Sequence, residues 1–236
     1  MIGNLKTFGL VLVAVLALGA LWVSMAQAAK MTAGTNTKAE NTAFYLETKI
    51  EPAKAQAFGV ETKCESVEFT GEQVLPSETE TMEATIEGCT TAGFPSTVTT
   101  NGCVFVMNIE ESIGEEEFSA TTDLECPGGQ FLEIETWFSA SAHSEGKTPV
   151  CIVKASSQTG IQDLDLKVDK GVGGGKDDLT SSVKKAKGIT VSQVRNSFLC
   201  PSGTESSEAT FEMLNPVTHQ ATEDTPARPL VDLWVD

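Results

Sequence analysis

The sequence predicts an all-β fold of the β-sandwich type, stapled by disulfides. Three observations carry this. Short segments of alternating polar and apolar residues recur with turn signals roughly every 8–12 residues. Few segments show a helical period. Six cysteines, Cys64, Cys89, Cys103, Cys126, Cys151 and Cys200, all follow an export-type N-terminus. An even number of cysteines in an exported chain reads as a disulfide framework. The spacing offers no short C-x-x-C pair, so a zinc site is not indicated.

The N-terminus has the parts of a secretory signal. Lys6 supplies a positive charge, residues 8–23 are apolar or small, and Ala26-Gln27-Ala28 forms an A-x-A cleavage site. The apolar run is shorter than the roughly 20 residues that span a bilayer. Residues 1–28 are therefore expected to be a signal peptide, with Ala29 as the mature N-terminus. No second long apolar run follows. The mature chain is expected to be extracellular, with no stable membrane insertion.

Residues 29–41 are small and polar and predict a flexible leader. Strands are expected over 43–50, 57–64 and 66–71. In the last of these Val67 and Phe69 share one face and Glu68 and Thr70 the other. Residues 73–81, with Pro76, predict a polar connection, and 82–87 the next strand. Residues 103–109 are the most apolar strand after the signal and suit the centre of a sheet. Residues 110–117 hold five glutamates and predict an acidic turn. In 130–138, Leu132, Ile134 and Thr136 share one face. Further strands are expected over 148–155, 161–168, 188–194, 208–214 and 230–235, and more weakly over 179–187. Cys126-Pro127-Gly128 and Cys200-Pro201-Ser202 resemble each other, which suggests two related β units, 42–138 and 139–236.

The stretch from Gly88-Cys89 to Gly102-Cys103 encloses a turn signal, Gly93-Phe94-Pro95. It predicts a hairpin whose strands carry a Cys89–Cys103 bridge. Glycine ahead of each cysteine lets the chain bend at little steric cost.

Several of these features occur together elsewhere. Cys64 with the downstream Phe69-Thr70-Gly71, the two Gly-Cys corners, Cys126-Pro127 and the terminal Leu233-Trp234-Val235 resemble a group of uncharacterised secreted β proteins from high-GC soil actinobacteria. The resemblance implies export and a cysteine-stapled β fold, and no catalytic residue.

The formal charge is −17. Residues 40–135 hold 20 acids and 3 bases, and residues 136–236 hold 13 and 10. Such a surface repels nucleic acid and anionic lipid, so no nucleic-acid partner is expected. A cell-surface or protein partner suits it better.

Catalytic patterns are thin. There is no G-x-S-x-G, and the two histidines, His143 and His219, lie in polar or proline-bordered stretches that predict exposed loops. Glu133 and Glu135 share one strand face, whereas glycoside hydrolysis needs carboxylates flanking a sugar. The Gly171–Lys176 tip departs from a phosphate loop at Lys170 and Asp177. Asp163, Asp165, Asp169, Asp177 and Asp178 surround that tip. An EF-hand would need an oxygen ligand at Lys167, a glycine at Val168 and an acid at Gly174. The sequence thus favours a non-enzymatic secreted structural or interaction module, with no cofactor. A secreted hydrolase of polysaccharide or peptide, and a weak calcium-dependent adhesin, are the alternatives.

Overall fold

The computed structural model describes residues 29, 31–34, 42–50, 52–114, 117–169, 178–182, 186–195, 205–213, 217–223 and 230–235. These residues are mostly strand. In chain order the strands are β1 (Met31–Gly34), β2 (Thr42–Ile50), β3 (Ala53–Ala57), β4 (Val60–Cys64), β5 (Ser66–Leu75) and β6 (Thr79–Glu87). Then come β7 (Cys89–Thr91), β8 (Phe94–Thr99), β9 (Val104–Gly114), β10 (Glu117–Glu125), β11 (Leu132–Thr136) and β12 (Cys151–Ala155). The last are β13 (Gln158–Asp169), β14 (Asp178–Ser182), β15 (Ala186–Arg195), β16 (Glu205–Met213), β17 (Val217–Glu223) and β18 (Leu230–Val235). A short helix α1 (Ala140–Ser144) lies between β11 and β12.

The pairings form two closed cycles, all antiparallel. One runs β2-β5-β6-β9-β10-β13-β14-β17 and returns to β2. The other runs β3-β4-β7-β8-β11-β12-β15-β16 and returns to β3. The chain alternates between them: β2 runs on into β3, β4 into β5, β6 into β7, and so on to β16 into β17. The result is eight long strands, each interrupted once, in an up-and-down barrel of two tiers. We call the β2-containing ring the upper tier, the β3-containing ring the lower tier, and the belt of interruptions the waist. β18 extends the upper tier from β17, and β1 pairs with β18.

This closed barrel replaces the expected sandwich. Alternation within a segment sets which face is buried, and it is silent on which strands meet. Closure depends on pairs such as Thr210 with Gln56 and Glu223 with Phe44, which lie far apart in sequence. A closed ring leaves no free edge and no central strand, so β9 has a ring neighbour on each side, β6 and β10, like every other member of its ring. Nor do the halves 42–138 and 139–236 close separately. Five long strands come from the first and three from the second, and β10 pairs directly with β13.

The strands face as their alternation dictates. On β6, Glu80, Met82 and Ala84 are buried while Thr81, Glu83 and Thr85 are exposed. Among the described side chains, those facing inward are mainly apolar and those facing outward mainly polar. No helix among the described residues is long and apolar enough to cross a membrane.

The hairpin around Cys89 exists, and its bridge does not. β7 and β8 turn at Ala92-Gly93, which places Cys89 opposite Ser96 rather than Cys103. Cys103 lies beyond the end of β8, at the waist. The disulfides are Cys64–Cys89 and Cys103–Cys126. Both follow from register. Lys63 faces Thr90 and Val104 faces Glu125, so one step further in each ladder brings the cysteines opposite each other. Both bridges therefore tie neighbouring long strands at the waist, where the ladders are interrupted. Gly88 and Gly102, with φ of 63° and 76°, supply the bends ahead of Cys89 and Cys103. Cys151 is also disulfide-bonded; Cys200 lies outside the described residues.

Other expectations need correction. The leader contributes β1, whose Met31 faces Val235. The connection expected over 73–81 shrinks to Pro76, Ser77 and Glu78, because β5 extends to Leu75 and β6 begins at Thr79. The Ser77 hydroxyl closes this turn, donating to the Thr79 carbonyl (2.7 Å) and accepting from the Thr79 N–H (3.2 Å). The acidic stretch 110–117 is mostly strand, with only 115–116 outside the described residues. His219 lies in β17 opposite Thr48 and Leu179, not in a loop.

Candidate ligand cavity

The two tiers are filled differently. The largest fully buried side chains are Phe44, Leu46, Ile50, Leu75, Met107, Glu80 and Thr136. All but Thr136 belong to the upper tier. The lower tier turns small residues inward: Ala53, Ala55 and Ala57 on β3, Ala155 on β12, Ala186 on β15 and Ala209 on β16. An eight-stranded barrel is just wide enough for side chains to fill it, or for one small ligand. Alanine leaves the space that phenylalanine and leucine take up above.

The outcome is a cavity of about 240 Å³ that fills the lower tier and waist and reaches into the adjoining end of the upper tier. Its upper end is formed by Phe69, Met82, Phe105 and Met107. The Phe69 and Phe105 rings meet edge to face at 5.3 Å, a favoured aromatic arrangement. Leu132, Ile134, Val153 and Val191 complete much of the wall. Gln158 is held by two backbone partners: its Oε1 accepts from the Thr190 N–H at 2.7 Å, and its Nε2 donates to the Thr190 carbonyl at 3.2 Å and to the Ser156 carbonyl at 3.3 Å.

Two polar features interrupt the apolar interior. Four buried hydroxyls, Thr62, Thr91, Ser96 and Thr136, form a chain across β4, β7, β8 and β11. Thr62 Oγ1 and Thr91 Oγ1 are 2.9 Å apart, Ser96 Oγ donates to Thr91 Oγ1 at 2.8 Å, and Ser96 Oγ and Thr136 Oγ1 are 2.9 Å apart. Thr62 also lines the cavity. The second feature is Glu80, fully buried in the upper tier and opposite Met107. Burial disfavours its charged form and pushes its pKa up to about 8. At neutral pH its carboxyl is mostly protonated.

The residues singled out for chemistry lie elsewhere. His143 is exposed on α1, its ring 4.3 Å from that of buried Trp137. The Trp137 indole donates to the Lys147 carbonyl at 3.3 Å, holding the loop after α1. Glu133 alternates with cavity-lining Leu132 and Ile134, and pairs with Lys154 at 2.8 Å. Glu135 shares that strand face. The Gly171–Lys176 tip and Asp177 lie outside the described residues, and Asp163, Asp165, Asp169 and Asp178 belong to β13 and β14. Among the described residues no group of three or more His, Cys, Asp or Glu could hold a metal ion.

Sequence reasoning missed the cavity residues. One signal was available: Ala53-Lys54-Ala55-Gln56-Ala57 alternates small with polar, which marks a strand whose inner face leaves space. Glu80 resembled any other surface acid, because its neighbours Glu78 and Glu83 are exposed. No protein-family model, curated protein or solved structure matches the chain.

Proposed function

We propose that the protein is an exported, non-enzymatic binding protein that takes up a small apolar molecule inside the lower tier of its barrel. The observation that carries this is the cavity of about 240 Å³ with its mainly apolar wall. An apolar cavity of about 150 Å³ stays dry and takes benzene, while drug-sized ligands occupy roughly 300 Å³ or more. The occupant is thus larger than one benzene ring and smaller than a typical drug. Burial of its apolar surface drives association. The waist disulfides suit an oxidising compartment, and the apolar run with Ala26-Gln27-Ala28 supplies the export route. The acidic exterior keeps the carrier soluble and away from anionic surfaces.

Calorimetric unfolding with n-butylbenzene tests the proposal. A ligand that binds only the folded state raises Tm with concentration. The rise is expected to follow a one-site curve and to vanish in Ala209→Phe, which fills the cavity; Ala155→Leu serves if that variant does not fold. No rise in the wild type, or an undiminished rise in a folded cavity-filled variant, overturns the proposal.

A further inference from the structure

The geometry points to Thr62 as a hydrogen-bond donor to the cavity's occupant, so that the occupant is an apolar molecule bearing one acceptor oxygen, such as a ketone, ester or ether. This rests on the cavity being a binding site. The inference comes from counting hydroxyl hydrogens. Each Ser or Thr hydroxyl has one hydrogen to donate and can accept more than once. Ser96 spends its hydrogen on Thr91 at 2.8 Å, with the Phe94 carbonyl a longer alternative at 3.3 Å. Thr136 must then donate to Ser96 across their 2.9 Å contact. Two hydrogens remain, on Thr91 and Thr62, and their shared contact uses only one.

Among the described residues, neither hydroxyl has a further acceptor within hydrogen-bonding distance. A buried donor without an acceptor costs about 1–3 kcal/mol. Of the two residues, Thr62 lines the cavity and Thr91 does not. The chain therefore runs Thr136 to Ser96 to Thr91 to Thr62, and the last hydrogen is left for the occupant. Thr62 is only 8% exposed and Thr91 7%, so bulk water does not readily satisfy either. Donors passed along a chain also strengthen one another, which makes Thr62 a better donor than an isolated threonine.

Butyrophenone and n-butylbenzene test this, since they share a shape and differ chiefly by one carbonyl. Their dissociation constants are read from thermal stabilisation of the wild type, Thr62→Val and Thr62→Ser. Comparing the ketone-to-alkylbenzene ratio between variants cancels the different hydration of the two probes. Thr62→Val is expected to shift the ratio against the ketone by roughly threefold to tenfold, the worth of one net hydrogen bond. Thr62→Ser, which keeps the hydroxyl, is expected to restore it. If n-butylbenzene binds but the ratio is the same in the wild type and Thr62→Val, the donor assignment falls and the cavity proposal stands. The assignment also falls if Thr62→Ser behaves as Thr62→Val. If neither probe binds the wild type, both fall.

Discussion

The upper and lower tiers are built from the same eight long strands, with the same antiparallel pairing, and differ in what they turn inward. Above the waist the largest fully buried apolar side chains are Phe44, Leu46, Ile50 and Leu75, with Met107 at the cavity's upper end; below it, alanines on four strands share the inner face with Leu132, Ile134, Val153 and Val191. Strand number fixes the width of both rings alike. Side-chain volume then decides that one becomes a packed core and the other a cavity. Dense packing and open space are thereby separated along one barrel. The upper tier buries the large groups that hold the fold, and the lower tier keeps space open without exposing backbone. The waist bridges sit between them, covalently joining strand pairs β4 with β7 and β9 with β10 next to the interruptions.

The largest effect is expected from truncation in the packed tier. Phe44→Ala should cost about 3–5 kcal/mol in denaturant unfolding, because the rigid surroundings only partly close the void. A cost below about 1 kcal/mol would mean that the upper tier is not the stability-bearing half.

Removal of a waist bridge comes next. Cys64→Ala with Cys89→Ala should lower stability by about 2–5 kcal/mol, and the same is expected for Cys103→Ala with Cys126→Ala. Peptide mapping without reduction should recover both bridges and a third joining Cys151 to Cys200. Recovery of a Cys89–Cys103 peptide would restore the hairpin bridge and remove the waist from the comparison.

The pH dependence singles out the upper tier. Glu80 has its pKa raised from 4.5 to about 8 by burial. Between those values the native state holds a proton that the unfolded state has released, so stability falls as pH rises. The slope from this group is up to about 1.4 kcal/mol per pH unit, levelling off below pH 4.5 and above about pH 8. Glu80→Gln, which stays neutral, should lose this slope and gain stability over the wild type at pH 8. Parallel stability–pH curves for the two proteins across that window would show that Glu80 ionises freely in the fold.

The smallest effect is a matched pair of insertions. Ala120→Leu, in the packed tier, should cost about 1–3 kcal/mol by overpacking. Ala209→Leu, facing the cavity, should change stability by less than about 1 kcal/mol. Equal costs would erase the distinction between a filled and a hollow tier.

Much of the local structure was legible because a period of two is written residue by residue. The faces of Val67 and Phe69, or of Leu132, Ile134 and Thr136, follow from alternation alone, and β18 spans the residues its pattern marks. The six cysteines likewise announce a disulfide framework. Three things were not legible. The Cys64–Cys89 and Cys103–Cys126 partners depend on register between strands, which the turn at Ala92-Gly93 shifts away from the simplest guess. The interior position of Glu80 depends on which face of β6 the barrel encloses. The hydroxyl chain joins Thr62, Thr91, Ser96 and Thr136 across four strands that only neighbour one another once the sheet has curved shut.

The sequence by itself determined an all-β chain, its strand faces and its cysteine stapling, because each is a property of neighbouring residues. Only the tertiary structure decided that the sheet closes rather than stacks into a sandwich, and that its lower half is hollow. Closure pairs β2 with β17 and β3 with β16, the two ends of the barrel sequence. The cavity is the difference between a ring's width and the summed volume of side chains drawn from all eight long strands. Neither quantity exists until the ring is formed.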